Sequence, residues 1–464
     1  MQRQIPRLVL AGTSSGVGKT TTVVALIAAL RARKLRVAVF KCGPDYLDPT
    51  YHSRAAGVTC HNLDGWMMGR DSVLATFSRA TQDADIAIIE GVMGLFDGTS
   101  PTGEEGSTAE IAKWLAAPVI LVVDASGMAR TIGAIAKGFT DFDPGLRLEG
   151  LICNRIGSRG HLDLLRQAVP NRIVGGFPIK PELSFPERHL GLRAANKEIL
   201  TDGVLAEWGA VAAEWLNIDR IVEIARSAQT LEAADSPAPP ESSRERCRIG
   251  IACDDAFHFY YEDNLARLQS AGSTLVRFSP VGDAQLPDVD GLYIGGGYPE
   301  AHAATLSKNS SMLQSIRAFA ERGAPIYAEC GGLMYLSRAI RTLDGLSHPM
   351  VGLLPLEVEM KDRLQALGYV DVETRESTLL GPAGTRFRGQ QFRYSEPRSL
   401  PHSLGAPGAA GIYTIRTRWG GDTSPEGYCY KSVLGSYVHA HWASNPTIPE
   451  QFVSTCAAYR TGQR

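Results

Sequence analysis

The stretch Leu8 to Thr22, LVLAGTSSGVGKTTT, constrains the fold of this chain more than any other. Leu8, Val9, Leu10 and Ala11 read as a buried parallel strand that breaks into a Gly/Ser loop, ends in Gly18-Lys19-Thr20 and opens an apolar helix. This is the pattern of a phosphate-binding loop. Small residues such as Ser15, Gly16 and Gly18 free backbone N–H groups to face phosphate oxygens from a helix N-terminus. Lys19 neutralises the phosphate charge, the Thr20 hydroxyl ligates Mg²⁺, and Thr21 adjoins the same ATP. The usual pattern G-x-x-x-x-G-K-[ST] wants a glycine where Thr13 stands, and Gly12 is displaced by one.

At 464 residues the chain is too long for one core, and roughly 150 residues per domain suggests two or three domains. Charged residues make up 21% and the formal net charge is −2, which argues against a nucleic-acid footprint or a disordered acidic tail. The first apolar run is too short for a signal peptide, and no window approaches the ~18 apolar residues of a membrane span. The expectation is a cytoplasmic protein with neither nucleic acid nor membrane as partner. The eight cysteines include no C-x-x-C pair; most read as buried small hydrophobes, without a disulfide framework or zinc site.

Further apolar runs follow at Arg36–Lys41, Asp85–Glu90, Pro118–Val123, Gly150–Asn154 and Ile173–Phe177, most of them separated by helix-length segments. Strands without period-2 alternation, alternating with helices, imply a parallel sheet covered on both faces, with ligands at the strands' carboxyl ends. Unusual residues cluster there. After RVAVFK comes Cys42-Gly43-Pro44-Asp45-Tyr46-Leu47-Asp48-Pro49, a rigid acidic loop in which Asp45 is a candidate Mg²⁺ ligand. Strand DIAIIE ends in Glu90, followed by a loop containing Asp97; Glu90 would share the ion with Thr20 and Asp45. The alternative is that Asp45, Asp48 and Asp97 are turn-forming carboxylates beside Gly and Pro. Asn154 ends a strand where nucleotide folds read the purine, and it is equally an ordinary turn residue. Lys180, Arg188 and His189 are either phosphate contacts or a solvated face. An apolar helical stretch from Val204 to Ile224 leads into the Pro/Ser/Glu-rich run Ala234–Glu245, read as an interdomain linker. The division is thus 1–232 for the nucleotide-binding domain, 233–246 for the linker and 247–464 for a second domain.

The second domain restarts the alternation at RIGIAC (Arg248–Cys253). Strand PIYAE (Pro325–Glu329) runs directly into Cys330-Gly331-Gly332, an elbow that exposes a nucleophile at a helix start. Gly295-Gly296-Gly297 ends another strand, so amides of Gly296, Gly297 and Gly331 can form an oxyanion hole. Tyr437-Val438-His439-Ala440-His441 supplies the base; His439 is the better placed, and His441 shares its strand face. Val358–Glu396 reads as antiparallel strands.

With both halves read, the chain resembles the cobyrinate a,c-diamide synthase family along nearly its whole length. GTSSGVGKTT, FKCGPDYLDPTYH, EGVMGLFDG, PERHLGL, IGGGYPE, AECGGLMYL and YVHAHW stand in the family's order. The resemblance implies an α/β architecture, with a P-loop domain like that of the dethiobiotin-synthetase branch followed by a class I glutamine-amidotransferase-like domain. It implies activation of two acetate carboxylates of a tetrapyrrole, cobyrinate or hydrogenobyrinate, by ATP, and their amidation with nitrogen from glutamine. Residue by residue, Cys330 becomes the glutaminase nucleophile and His439 its base, and Tyr46, Leu47, Asp48 and Asp97 lie near the carboxylate being activated. Class I glutaminases add a Glu two residues after that histidine, where this chain has His441. One segment departs further. The family commonly has Gly-His-Glu-Phe-His-Tyr-Ser, and here Gly389-Gln390-Gln391-Phe392-Arg393-Tyr394-Ser395 stands in its place. If that segment touches the macrocycle or the domain interface, sirohaem or sirohydrochlorin, or a single amidation, becomes an alternative. The rival classes are a P-loop switch ATPase that binds a partner protein and an amidotransferase with an unrelated acceptor. The sequence leaves the oligomeric state open, a homodimer included.

Overall fold

The computed structural model describes residues 4–180, 185, 187–188, 191–192, 200–231, 245–399, 410–418, 421 and 423–462. The chain divides into two compact units, Met1–Ser236 and Pro237–Arg464.

The first unit runs β1 (Arg7–Gly12), α1 (Lys19–Ala32), β2 (Val37–Cys42), α2 (Asp48–Ala56), β3 (His61–Leu63), α3 (Gly65–Ala80), β4 (Ile86–Glu90), α4 (Thr108–Trp114), β5 (Val119–Asp124), α5 (Thr131–Phe142), β6 (Leu148–Ile156), α6 (Arg159–Ala168) and β7 (Ile173–Pro178). The two-residue strands β8 (Glu187–Arg188) and β9 (Gly191–Leu192) and helices α7 (Asp202–Trp215) and α8 (Ile218–Arg226) follow. Seven strands form one parallel sheet in the order β3-β2-β4-β1-β5-β6-β7. The apolar runs become strands because both faces are covered: every residue of β1, β2 and β4 is buried. β1 lies in the middle, so the loop that leaves it opens at the centre of the sheet's carboxyl edge, between the tips of β4 and β5. Helix α1 is buried along most of its length, and α7 lies against it. Gly209 permits that approach, since a methyl there would meet the Ala28 carbonyl carbon and β-carbon at 3.1 Å.

Two details differ from the sequence reading. The stretch Val204 to Ile224 is two helices, because Leu216 takes an extended conformation and Asn217 caps α8 through Arg220 N. β3 is only three residues long, too short for a periodicity to register. His189, the Arg188 side chain and most of the linker, 232–244, lie outside the described residues; Lys180 is exposed.

The second unit begins with β10 (Cys247–Ala252), α9 (Glu262–Ser270), β11 (Ser273–Phe278), β12 (Gly291–Ile294), α10 (Ala303–Lys308), α11 (Ser310–Glu321), β13 (Ile326–Glu329) and α12 (Gly331–Leu336). Then come β14 (Ala339–Arg341), β15 (Ser347–Pro349), β16 (Leu356–Met360), β17 (Ala366–Thr374), β18 (Arg386–Arg393), β19 (Ser395–Ser399), β20 (Ala410–Thr417), β21 (Thr423–Tyr430), β22 (Val433–Ser436), β23 (His439–His441) and α13 (Thr447–Arg460). A ten-stranded mixed sheet has the order β11-β10-β12-β13-β22-β21-β20-β17-β18-β23. Its first five strands are parallel and the rest antiparallel. A four-stranded sheet, β15-β14-β16-β19, stands apart. The antiparallel expectation for Val358–Glu396 holds in β16 to β19.

Candidate active sites

In the first unit the loop between β1 and α1 carries positive φ at Gly16 (77°) and Gly18 (89°), which small residues adopt without strain. Lys19 reaches back across the loop and donates to the carbonyls of Ser14 (3.0 Å) and Met93 (2.6 Å). Thr20 Oγ1 donates to Glu90 Oε1 at 2.9 Å, so the hydroxyl and the carboxylate expected to share a cation are in contact. Ser15 and Thr21 lie on the loop and the first turn of α1. Asn154 lies beside the same loop, its Nδ2 donating to the Val17 carbonyl at 2.8 Å, and Arg155 donates to the Gly16 carbonyl at 2.9 Å. Asn154 therefore braces the phosphate loop.

Glu90 is fully buried. Lys41 Nζ stands 2.8 Å from its Oε1 and 2.6 Å from Asp48 Oδ2, and His52 Nε2 stands 2.5 Å from Glu90 Oε2. Burial works against the Glu90 anion, but Lys41 and His52 outweigh it and hold the carboxyl well below its usual range. Burial likewise opposes the Lys41 cation, and Asp48 and Glu90 overcome it, holding the ammonium well above its ordinary value. Burial, with Asp45 nearby, pushes Asp48 up to about 7 against the pull of Lys41.

Asp45 and Asp97 both make turns. Asp45 Oδ1 accepts from Leu47 N (2.8 Å) and Asp48 N (3.0 Å), and Asp97 Oδ2 accepts from Gly94 N (2.8 Å). Tyr46, Leu47 and Asp48 lie at the start of α2, with Leu47 at its N-cap. Thr20 and Glu90 meet directly, whereas Asp45 bonds to its own turn. Among the described residues no group of three or more His, Cys, Asp or Glu side chains could cage a metal. One hydroxyl and one carboxylate at the mouth of a phosphate loop fit Mg²⁺, which takes its other ligands from phosphates and water.

In the second unit the turn after β13 gives Cys330 φ 47° and ψ −101°, a strained conformation for a residue with a β-carbon. Its N–H donates to the Ser436 carbonyl at 2.7 Å, which pins the elbow to β22. The three glycines leave the space this turn needs. A methyl on Gly331 would sit 3.0 Å from Gly297 N, and one on Gly296 would sit 2.4 Å from His439 Cε1. Gly296, Gly297, Gly331, Cys330 and His439 thus converge. Burial disfavours the His439 cation, yet the Cys330 sulfur and the Glu329 carboxylate reverse this and raise its pKa to about 9. His439 Nδ1 lies 3.8 Å from Glu329 Oε2.

His441 has partners of its own. Its Nδ1 accepts from Ala443 N at 3.3 Å, its ring packs 4.7 Å from that of Tyr261, and burial pushes its pKa down to about 4. β23 is held from several sides. β18 pairs with it (Gln390 opposite His439), Ala440 N donates to Glu329 Oε1 at 3.0 Å, and Asn264 brackets it by donating to Ala440 O (2.7 Å) and accepting from Trp442 N (2.8 Å).

The segment Gly389–Ser395 lies beside the cysteine. It forms most of β18 beside His439, with the Phe392 carbonyl 4.0 Å from Cys330 Sγ, the Arg393 guanidinium 4.7 Å over the Tyr437 ring, and Gln390 Nε2 donating to Tyr261 at 3.1 Å. It walls the cysteine site. The sequence reading passes over Glu329, Lys41 and His52. The signals were a carboxylate immediately before the elbow cysteine and a lysine and a histidine flanking the acidic loop, FKCGPDYLDPTYH.

Residues 8–190 match the family described as the CobQ/CobB/MinD/ParA nucleotide binding domain, and residues 248–447 match the CobB/CobQ-like glutamine amidotransferase domain. A protein of Leptospira interrogans serogroup Icterohaemorrhagiae serovar copenhageni named cobyrinate a,c-diamide synthase is 53% identical, over 98% of this chain and 99% of its own length. Proteins of the same name from Syntrophotalea carbinolica (48% identical, 97% of this chain and 98% of theirs) and Priestia megaterium (40%, 99% and 98%) match as fully. No helix among the described residues is long and apolar enough to cross a membrane. The order of the two domains, the converging residues of each site and these full-length matches place the chain in the cobyrinate a,c-diamide synthase family of glutamine-dependent amidating ligases.

Proposed function

We propose that this chain amidates the a and c acetate carboxylates of cobyrinate or hydrogenobyrinate in two ATP-driven steps, taking nitrogen from glutamine. The observation that supports it best is the pairing, on one chain, of a strained Cys330 elbow against His439 with a phosphate loop whose Thr20 touches Glu90. At the cysteine site the thiolate attacks the glutamine side-chain carbonyl, the amides of Gly296, Gly297 and Gly331 stabilise the oxyanion, and His439 passes a proton to the departing ammonia. Water then hydrolyses the thioester to glutamate. At the nucleotide site a substrate carboxylate attacks the γ-phosphoryl of ATP, giving an acyl phosphate and ADP; ammonia displaces phosphate and leaves an amide. Mg²⁺, when bound, neutralises the phosphate charge. Thr20 and Glu90 would hold it, with Asp45 on the adjoining turn. Lys19 holds the phosphates, and Asn154 and Arg155 keep the loop in shape. Tyr46, Leu47, Asp48 and Asp97 would face the carboxylate under attack. The two compact units support a division near 1–232 and 247–464, and eight free thiols fit a reducing, cytoplasmic setting. The oligomeric state is open, a homodimer included, and sedimentation of the purified chain decides it.

The deciding experiment offers purified enzyme, ATP, Mg²⁺ and glutamine either cobyrinate or hydrogenobyrinate and, separately, sirohaem and sirohydrochlorin, and reads product masses. Two carboxylate-to-amide exchanges on the corrinoid are expected. Because Gly389–Ser395 walls the cysteine site, its departure is expected to leave acceptor choice unchanged. Amidation of the sirohaem-type compounds alone would overturn this reading. A second expectation concerns the base. Gly296→Ala drives a methyl into His439, so turnover with glutamine should fall by about 100-fold or more while turnover with ammonium salts is kept. An equal loss with both nitrogen sources would show a wider disruption instead.

A further inference from the structure

A cysteine–histidine pair needs something to orient the imidazole and to stabilise its charged form. The position two residues beyond His439 cannot do so, because His441 is turned onto Ala443 N and its pKa is pushed down to about 4 by burial. The other acidic candidate is next to the nucleophile itself. Glu329 is the last residue of β13, is 1% exposed, and puts Oε2 3.8 Å from His439 Nδ1. Its carboxylate is fixed before any substrate arrives. Tyr293 donates to Oε2 at 3.0 Å, Tyr327 donates to Oε1 at 2.8 Å, and Ala440 N donates to Oε1 at 3.0 Å. Both tyrosine hydroxyls keep their protons, since burial and then the Glu329 charge raise them well above their ordinary range.

We propose that Glu329 is the positioning residue of the glutaminase: its carboxylate faces the Nδ1 edge of His439, leaves Nε2 for the Cys330 thiol, and stabilises the imidazolium formed when the thiol gives up its proton. The inference rests on the Cys330–His439 reading above. The proton leaves Sγ for Nε2 and later goes to the ammonia cut from glutamine; Nδ1 keeps its hydrogen towards Glu329 throughout. The fold thus supplies from β13, one residue before the nucleophile, the acid that class I enzymes carry on the strand of the base.

The test uses the full chain with Glu329→Gln, which keeps the shape and an acceptor for Ala440 N while removing the charge. Among the charges acting on His439, those of Cys330 and Glu329 are the largest. Removing the second should lower the imidazolium's stability. The expected result is a fall in kcat with glutamine of at least roughly 30-fold, little change in KM, and a shift of the alkaline limb of kcat/KM for glutamine to lower pH by about one unit. Amidation with ammonium salts should persist. Glutamine turnover within about 2-fold of the parent and an unmoved alkaline limb would overturn the proposal. Should Glu329→Gln not fold, Tyr293→Phe removes the donor to the oxygen that faces His439. Its glutamine kcat should drop by about 3- to 10-fold with ammonia use intact, and an unchanged kcat would count against the proposal. Failure of the underlying reading looks different: Cys330→Ala would still use glutamine.

Discussion

Cys330→Ala is expected to lose glutamine-dependent amidation by about 1,000-fold or more while amidation driven by ammonium salts stays near the parent's rate. The thiol at the Cys330 elbow lies against His439, and its backbone is tied to Ser436 irrespective of the side chain. Alanine is smaller than cysteine and places no new atom against Gly297, so the fold should survive the change. The two rates are read side by side on one preparation, with amide product counted by mass spectrometry. Retained glutamine use would remove Cys330 from the chemistry. Loss of both activities in a folded variant would break the separation of nitrogen release from acceptor activation.

Lys41→Met is expected to act on the other unit, and on stability as much as on rate. It removes the ammonium lying between Asp48 and Glu90 and leaves Glu90, which is 0% exposed, with His52, Thr20 and the more distant Lys19 against its charge. Stripping one partner from a buried ion pair costs about 3–5 kcal/mol. Urea unfolding of the full chain should show the first transition displaced to lower urea by roughly 1–3 M. Amidation should fall with both nitrogen sources, unlike in Cys330→Ala. The same cluster sets an acid limit for the parent. Glu90 is held below its unfolded value, so its contribution is complete above about pH 4.5 and is lost as pH falls through the folded value. A variant whose midpoint moves by less than about 0.3 M would show that Lys41 does not hold the cluster together.

Much of this was legible in the chain because strong local signals happened to be sufficient. The apolar run before the Gly18-Lys19-Thr20 loop reads as a buried strand and the one after it as a helix, and β1, β2, β4, β5, β6 and β7 appear within a residue or two of the apolar runs that mark them. Cys330 and His439 are separated in sequence but meet because the parallel and antiparallel parts of one sheet bring β13 and β23 to the same residues. What the sequence concealed is the set of partners fixed by strand register. Lys41 stands opposite Glu90 only because β2 and β4 are neighbours in that register. Glu329 reads as the end of a strand until β23 is placed over it. The choice between His439 and His441 turned on a reversal after β23 that lets the His441 ring cap Ala443, which alternation along a strand could not reveal. The surroundings of Gly389–Ser395 were hidden for a related reason: a segment's neighbours across a sheet are invisible in its own residues.

Asn264 has a meaning beyond its two hydrogen bonds. Among the described residues β23 is the last strand of its sheet, with β18 as its one neighbouring strand. The open side of such a strand is ordinarily a template for another chain's backbone, the route by which sheets join between molecules. Here Asn264 and Glu329 occupy the outward N–H and C=O of Ala440. The strand that carries His439 therefore has its backbone engaged on both edges, by β18 on one and by two side chains on the other, so neither group of Ala440 is left to pair with a second chain.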